Sequence, residues 1–221
     1  MRIVSLLPSA TDIVCSLGLR DNLVGRTHEC DWPLGPLGIE NVPVMTSNLL
    51  DLNSKGGKSS REIDDAVGSH KHSGSSIYAL DVDALRAADP DLILTQELCD
   101  VCAVSYDDVA RAARLIEGSP TVVSLEPTSI DEIFENVTTV GRLTGTREAA
   151  SDVVSNGRLR LQRLHDALRP KPPIRVFCVE WLDPIYASGH WVPEQVEIAG
   201  GIEVLGIAGR PSRTVSWEQV V

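Results

Sequence analysis

One pattern recurs along this chain and limits what it can fold into: a short apolar run, a turn, then a longer segment of helical period. Arg2-Ile3-Val4-Ser5-Leu6-Leu7 is the first such run, and Ser9-Ala10-Thr11-Asp12 opens a helix with a capping-box-like start that stops at Gly18. Further strands are expected over residues 23–27, over Asp91-Leu92-Ile93-Leu94-Thr95 and over residues 121–125. A short helix from about Asp81 is closed by Pro90, because the residue before a proline is pushed out of helical geometry. Residues 107–117 carry Val109, Ala112, Ala113 and Ile116 at helical spacing, and residues 129–145 form a helix capped by Ser129 with Glu132 three positions on. Apolar strands separated by helices imply parallel βα units.

The second half repeats the theme less completely. Residues 147–168 read as one long helix with Leu159, Leu161, Leu164 and Leu168 as an apolar stripe, ended by Pro170, Pro172 and Pro173. A strand over residues 174–181 and a helix over residues 193–200 then echo residues 2–18. The expected fold is therefore α/β, with two lobes of similar design and residues 147–168 as a connecting helix. Residues 53–77 read as a long polar loop with one short helix near 61–67. Its Gly57-Lys58-Ser59 is no phosphate loop, since Leu52 stands where the first glycine is needed and no strand precedes it.

Charge and cysteine usage narrow the partners. A net charge of −11 repels phosphate backbones and anionic lipid, so nucleic acid is not an expected partner. No apolar stretch approaches the ~20 residues of a membrane span, and no export signal precedes the first strand. The sequence as it stands thus implies a cytoplasmic chain, or a periplasmic or cell-surface one if a leader has been removed. Five cysteines, an odd number without an export signal, favour reduced thiols.

Ligands of parallel α/β sheets collect beyond the carboxyl ends of the strands, and those segments are unusual here. They read Pro8-Ser9, then His28-Glu29-Cys30-Asp31-Trp32-Pro33, then Gln96-Glu97-Leu98-Cys99-Asp100-Val101-Cys102, then Glu126-Pro127. The second half adds Glu180 to Tyr186 and Gly189-His190-Trp191-Val192-Pro193-Glu194. Aromatic residues are scarce, yet Trp32, Trp181, Tyr186 and Trp191 all fall in these segments, where flat side chains can sandwich a large planar ligand.

Residues 2–12, Asp89-Pro90-Asp91-Leu92-Ile93-Leu94, Pro127-Thr128-Ser129-Ile130 and the stretch from Ala187-Ser188-Gly189 to Gly200-Gly201 resemble the class III substrate-binding proteins of ABC importers, the cobalamin and iron-siderophore type. Within that group the chain is most similar to the cobalamin-binding members, and the likeness runs from Arg2 to Val221. The resemblance implies two Rossmann-like lobes joined by a long connecting helix, residues 1–145, 146–170 and an incomplete C-terminal lobe over 171–221, with a ligand, cobalamin or another corrinoid, held between the lobes and delivered to a membrane permease without chemistry. It places Trp32 and Tyr186 at aromatic positions that touch the corrin, and Asp83 and Glu218 at carboxylates that dock on permease arginines. Glu97, Trp181, His190 and Trp191 complete the expected ligand-binding set. The chain departs from the cobalamin-binding pattern around Ser47 and at Gln96, which are not aromatic, and it stops at Val221 where the family continues.

Two other chemistries are open to the same residues. Cys99-x-x-Cys102 with Cys30 and His28 makes a four-ligand thiolate and imidazole set suited to zinc or iron. His190 does not share a helix face with Glu194, since Pro193 fits the first helical position, but His190 remains open to a role as axial ligand or hydrogen-bond donor. A thiol-dependent or hydrolytic enzyme using Cys99 and Cys102, or His28 with a carboxylate, is the third reading. No G-x-S-x-G elbow, H-E-x-x-H helix or complete phosphate loop accompanies it.

Overall fold

The structure, a computed structural model, describes residues 1–35, 38–50, 57–72, 77–97 and 105–220. The chain divides into two units: Met1–Gly57, Asp65–Glu126 and Val140–Ala149 form the first, and Lys58–Asp64, Pro127–Thr139 and Ala150–Val221 the second.

The first unit is organised by strand β1 (Ile3–Ser5), whose three residues are all buried. Helix α1 (Pro8–Ser16) follows, then β2 (Leu23–Arg26), β3 (Thr46–Asn48), α2 (Ser60–His72, whose first turn belongs to the second unit), β4 (Tyr78–Leu80), α3 (Val82–Ala88), β5 (Leu92–Thr95), α4 (Tyr106–Ala113) and β6 (Thr121–Ser124). Four strands make a parallel sheet in the order β2-β1-β5-β6. The chain moves outward from β1 to β2 and, on the other side, from β5 to β6. That reversal puts the switch point between β1 and β5, the position at whose carboxyl-end side ligands of such sheets bind. β3 and β4 form a separate antiparallel pair.

Side chains alternate across the sheet, so Val4, Leu6 and Ile93 leave on one face and Ile3, Leu92 and Leu94 on the other. The first set joins Met45, Leu85, Ala88, Val109, Ala112, Ala113 and Ile116 in one core cluster. Gly25 lets Met45 close over β2: a Cβ there would meet the Met45 side chain at 2.4 Å. On the other face Thr11 of α1 donates to the buried Ser5 hydroxyl at 2.8 Å, which fixes the helix over β1.

Helix starts agree with the sequence in two places and differ in one. Asp81 caps α3 by accepting from the Ala84 amide at 2.8 Å, and Ser129 accepts from the Glu132 amide at 3.2 Å ahead of α5 (Ile130–Thr144). The start of α1 is not the expected capping box. Leu7 is its N-cap without a side-chain bond, Pro8 takes the first turn because it has no N–H to satisfy, and the Thr11 hydroxyl turns to Ser5 instead.

The second unit contains most of α6 (Arg147–Leu168), then β7 (Ile174–Val176), β8 (Val179–Leu182), β9 (Ile185–Ala187), α7 (Val192–Ile198), β10 (Gly201–Glu203), β11 (Arg213–Thr214) and α8 (Trp217–Val220). The single strand expected over 174–181 is two. β7 pairs in parallel with β10, while β8 joins an antiparallel sheet in the order β11-β9-β8. The break at Cys178 has a local cause: its amide donates to the Glu203 carboxylate at 3.2 Å and its carbonyl accepts from the Ser188 amide at 3.2 Å, so the chain leaves one sheet for the other. Among the described residues no helix is long and apolar enough to cross a membrane.

Candidate functional site

The rim of the first unit is held by backbone carbonyls. Arg26, the last residue of β2, donates to the carbonyls of Thr27 at 3.2 Å, Cys30 at 3.1 Å and Ile39 at 3.1 Å, which clamps the turn that follows the strand. The Cys30 amide closes that turn on the Thr27 carbonyl at 3.2 Å. Beyond it Trp32 stands 61% exposed, an unusual position for a side chain with so much apolar area to bury.

A hydrogen-bonded chain lies under the turn. Thr46 Oγ1 accepts from the His28 amide at 3.0 Å and also contacts His28 Nδ1 at 2.7 Å and Thr27 Oγ1 at 2.8 Å. One hydroxyl has one proton and two acceptor sites, so the imidazole and Thr27 take opposite roles toward Thr46: one donates to it and the other accepts. His28 Nε2 lies 3.0 Å from Glu29 Oε1, out of line for a hydrogen bond, and the imidazole packs 5.2 Å from the Tyr78 ring. Arg26, Thr46 and Tyr78 were not among the expected site residues. Arg26 carries the one legible signal, a cation at the carboxyl end of a buried strand.

At the switch point Glu97 is exposed just after β5, and the buried Thr95 hydroxyl beside it has no partner among the described residues. Such orphaned buried groups are completed by a water or a bound molecule. Cys99 and Cys102, half of the expected metal set, lie outside the described residues. Of the other half, Cys30 sets its buried sulfur 3.0 Å from Thr11 Oγ1, while His28 contacts Thr46 and Glu29. Burial pushes the Cys30 thiol above its ordinary range. Among the described residues no group of three His, Cys, Asp or Glu side chains is placed to hold a metal ion.

In the second unit Trp181 of β8 pairs with Tyr186 of β9. The Trp181 indole N–H is already used, donating to the carbonyls of Ser60 and Asp183 at 3.1 Å each. Arg61 grips the Asp183 carboxylate through both Nε and Nη2, a charge-assisted fork that fixes the start of α2 on the β8–β9 hairpin. The Trp181 N–H is thus spent and its ring face stays available, whereas among the described residues no hydrogen bond occupies the Tyr186 hydroxyl.

The loop after β9 is tightly built. A Cβ on Gly189 would meet the Arg210 carbonyl at 2.4 Å and the Ser212 amide at 2.5 Å, so only glycine fits. His190 follows in left-handed geometry at φ 51°, its amide donating to the Arg210 carbonyl at 2.7 Å and its carbonyl accepting from Gly209 at 2.9 Å. These bonds hold the imidazole 5.9 Å from the Trp191 ring, and both side chains are half-buried. Val192 is the first residue of α7 and Pro193 the second, one position later than expected. Glu194 is committed elsewhere: it accepts from the Ile130 amide at 2.8 Å at the N-terminus of α5.

Asp83 and Glu218 sit on surface helices. Asp83 is 95% exposed in the first turn of α3, 3.9 Å from Arg86. Glu218 is exposed in the first turn of α8, and a hydrogen bond from the Ser216 hydroxyl, helped by its own amide, holds its carboxyl below the usual range.

A parallel sheet with a switch point between β1 and β5 and an exposed aromatic side chain beyond β2 defines an α/β protein whose strand ends are the place to look for a ligand. The profile of the periplasmic binding protein family matches residues 3–221, and the chain belongs to that family. It is 25% identical over its whole length to the vitamin B12-binding protein of Vibrio cholerae, of which it spans 66% of the length. The crystal structure of the Vibrio cholerae periplasmic vitamin B12-binding protein superposes with a TM-score of 0.67 at 24% identity, covering 99% of this chain and 71% of that one. The periplasmic heme-binding protein of the same organism superposes with a TM-score of 0.70 at 15% identity, covering 100% and 72%. The likeness to these structures shows the fold, that of a periplasmic binding protein with an α/β architecture.

Proposed function

We propose that the chain binds a large planar ligand of the corrinoid class, through Trp32 on the rim of the first unit and Tyr186, His190 and Trp191 in the second, and performs no reaction on it. The observation that carries this reading is the exposed Trp32, held at a strand end by the Arg26 clamp, in a chain that matches a vitamin B12-binding protein along its whole length. Aromatic faces suit a flat conjugated ring, and rigid presentation lowers the ordering cost of binding. Glu97 and Trp181 belong to the same proposed set, the latter by its ring.

The partner in this reading is an ABC permease, docked through Asp83 and Glu218, with the protein working in the periplasm or at the cell surface. A planar heme is the second reading, favoured by the fold shared with the Vibrio cholerae heme-binding protein. Zinc or iron at His28, Cys30, Cys99 and Cys102 is the third, and the inward-turned Cys30 sulfur weighs against it.

Adding cyanocobalamin or hemin separately, at roughly tens of micromolar, tests the reading by absorbance shift and co-elution. A shift with cyanocobalamin supports a corrinoid, a shift with hemin alone replaces it with heme, and no shift with either removes the planar-ligand proposal. Elemental analysis of the protein prepared without chelator decides the metal reading. For docking, Asp83→Arg is expected to weaken binding to vesicles carrying the permease; an unchanged affinity overturns the role given to Asp83.

A further inference from the structure

The three described cysteines, Cys15, Cys30 and Cys178, are free thiols, and the first two are both tied to the face of α1 that carries Thr11. Cys30 is 6% exposed and its sulfur lies 3.0 Å from Thr11 Oγ1. The Thr11 hydroxyl gives its proton to Ser5 Oγ at 2.8 Å, so its oxygen receives the Cys30 S–H. Cys15 stands four residues after Thr11 on the same helix, one turn along the same face, where neighbouring Cβ atoms are about 5–6 Å apart. Helical Cα–Cβ bonds tilt toward the N-terminus, which directs residue 15 back toward the turn of Thr11, whose hydroxyl holds the Cys30 sulfur.

We propose that Cys15 and Cys30 form a redox-sensitive dithiol, in which oxidation closes a disulfide between α1 and the turn that carries Trp32. The proximity is also felt electrostatically: burial raises the Cys15 thiol most, then Asp12, while Arg20 lowers it and a Cys30 thiolate adds a smaller upward push. Cys15 is half-buried and reachable from solvent, while Cys30 is not, which assigns the order of events.

Cys15, as its thiolate, attacks one sulfur of a small-molecule disulfide. The S–S bond breaks, one thiol leaves with the proton Cys15 gave up, and a mixed disulfide remains on Cys15. Cys30 then attacks the Cys15 sulfur and its proton goes to the second departing thiol. The dithiol loses two electrons and two protons, and the small disulfide gains both as two thiols. Because burial holds both thiols above their ordinary range, exchange is slow at neutral pH and quickens as pH rises.

The test uses the chain with Cys99→Ser, Cys102→Ser and Cys178→Ser, incubated with oxidised glutathione at pH 8. The expected result is loss of two hydrogens in the intact mass, reversed by dithiothreitol, with a Cys15–Cys30 linked peptide after digestion. Cys15→Ser in that background is expected to stay unmodified, and Cys30→Ser to stop at one glutathione on Cys15. An unchanged mass, or two separate glutathione adducts, overturns the proposal. Peptide mapping of the oxidised wild-type chain reads the same linkage and frees the result from any folding defect of the serine background.

Discussion

β1 and β7 are both short apolar strands that open a βα unit, yet every residue of β1 is buried while β7 leaves Ile174 72% exposed. The difference is in their neighbours. β1 lies between β2 and β5 in a four-stranded sheet with helices supplying core side chains, whereas among the described residues β7 has β10 alone beside it. Leu182 of β8 and Ile202 of β10 are exposed as well. A parallel strand is stable when both its faces are covered, so a buried-strand pattern in sequence is a demand for cover and not a guarantee of it.

That contrast can be broken by stability measurements. Ile93→Ala in β5 removes a fully buried side chain from the core cluster and is expected to cost about 2–5 kcal/mol in urea denaturation, against roughly 0.5 kcal/mol or less for Ile174→Ala. Equal losses would mean that β7 is covered as β1 is. The second unit is not loose throughout: Gly189→Ala forces a Cβ into the Arg210–Ser212 backbone, with an expected cost of about 1–3 kcal/mol. In the first unit Asp81→Ala deletes the α3 cap and is expected to cost about 1 kcal/mol.

The smallest effect is a pH dependence. Hydrogen bonds from the Thr128 amide and hydroxyl, with the Ser129 contribution, depress the Glu132 carboxyl below its ordinary value. A depressed acid stabilises the fold above its unfolded pKa and loses that contribution as pH falls through the folded value. Glu132→Gln is therefore expected to flatten the decline of the thermal midpoint between about pH 5 and 3. A slope identical to wild type would show that these bonds do not favour the ionised form.

The sheet of the first unit was legible because its strands are continuous apolar runs, and Asp81 and Ser129 mark helix starts by chemistry that acts within one turn. Thr46-Ser47-Asn48 gave no such signal, since β3 is a short polar strand defined by its partner β4. The split at Cys178 depends on Glu203 and Ser188, which are distant or unremarkable in sequence. The same limit governs the site. Trp32 could be placed from its position after a strand, but that the Trp181 N–H is consumed by Ser60, or that Cys30 turns inward to Thr11, follows from contacts between separated segments.

The corrinoid proposal requires the exposed Trp32 to be a ligand contact. Titrating wild type and Trp32→Ala with cyanocobalamin by absorbance measures this directly. The prediction is a saturable shift whose dissociation constant rises on the order of thirtyfold in the variant, matching the ~2 kcal/mol of an aromatic anchor. Saturable binding with the same constant in both proteins would contradict it.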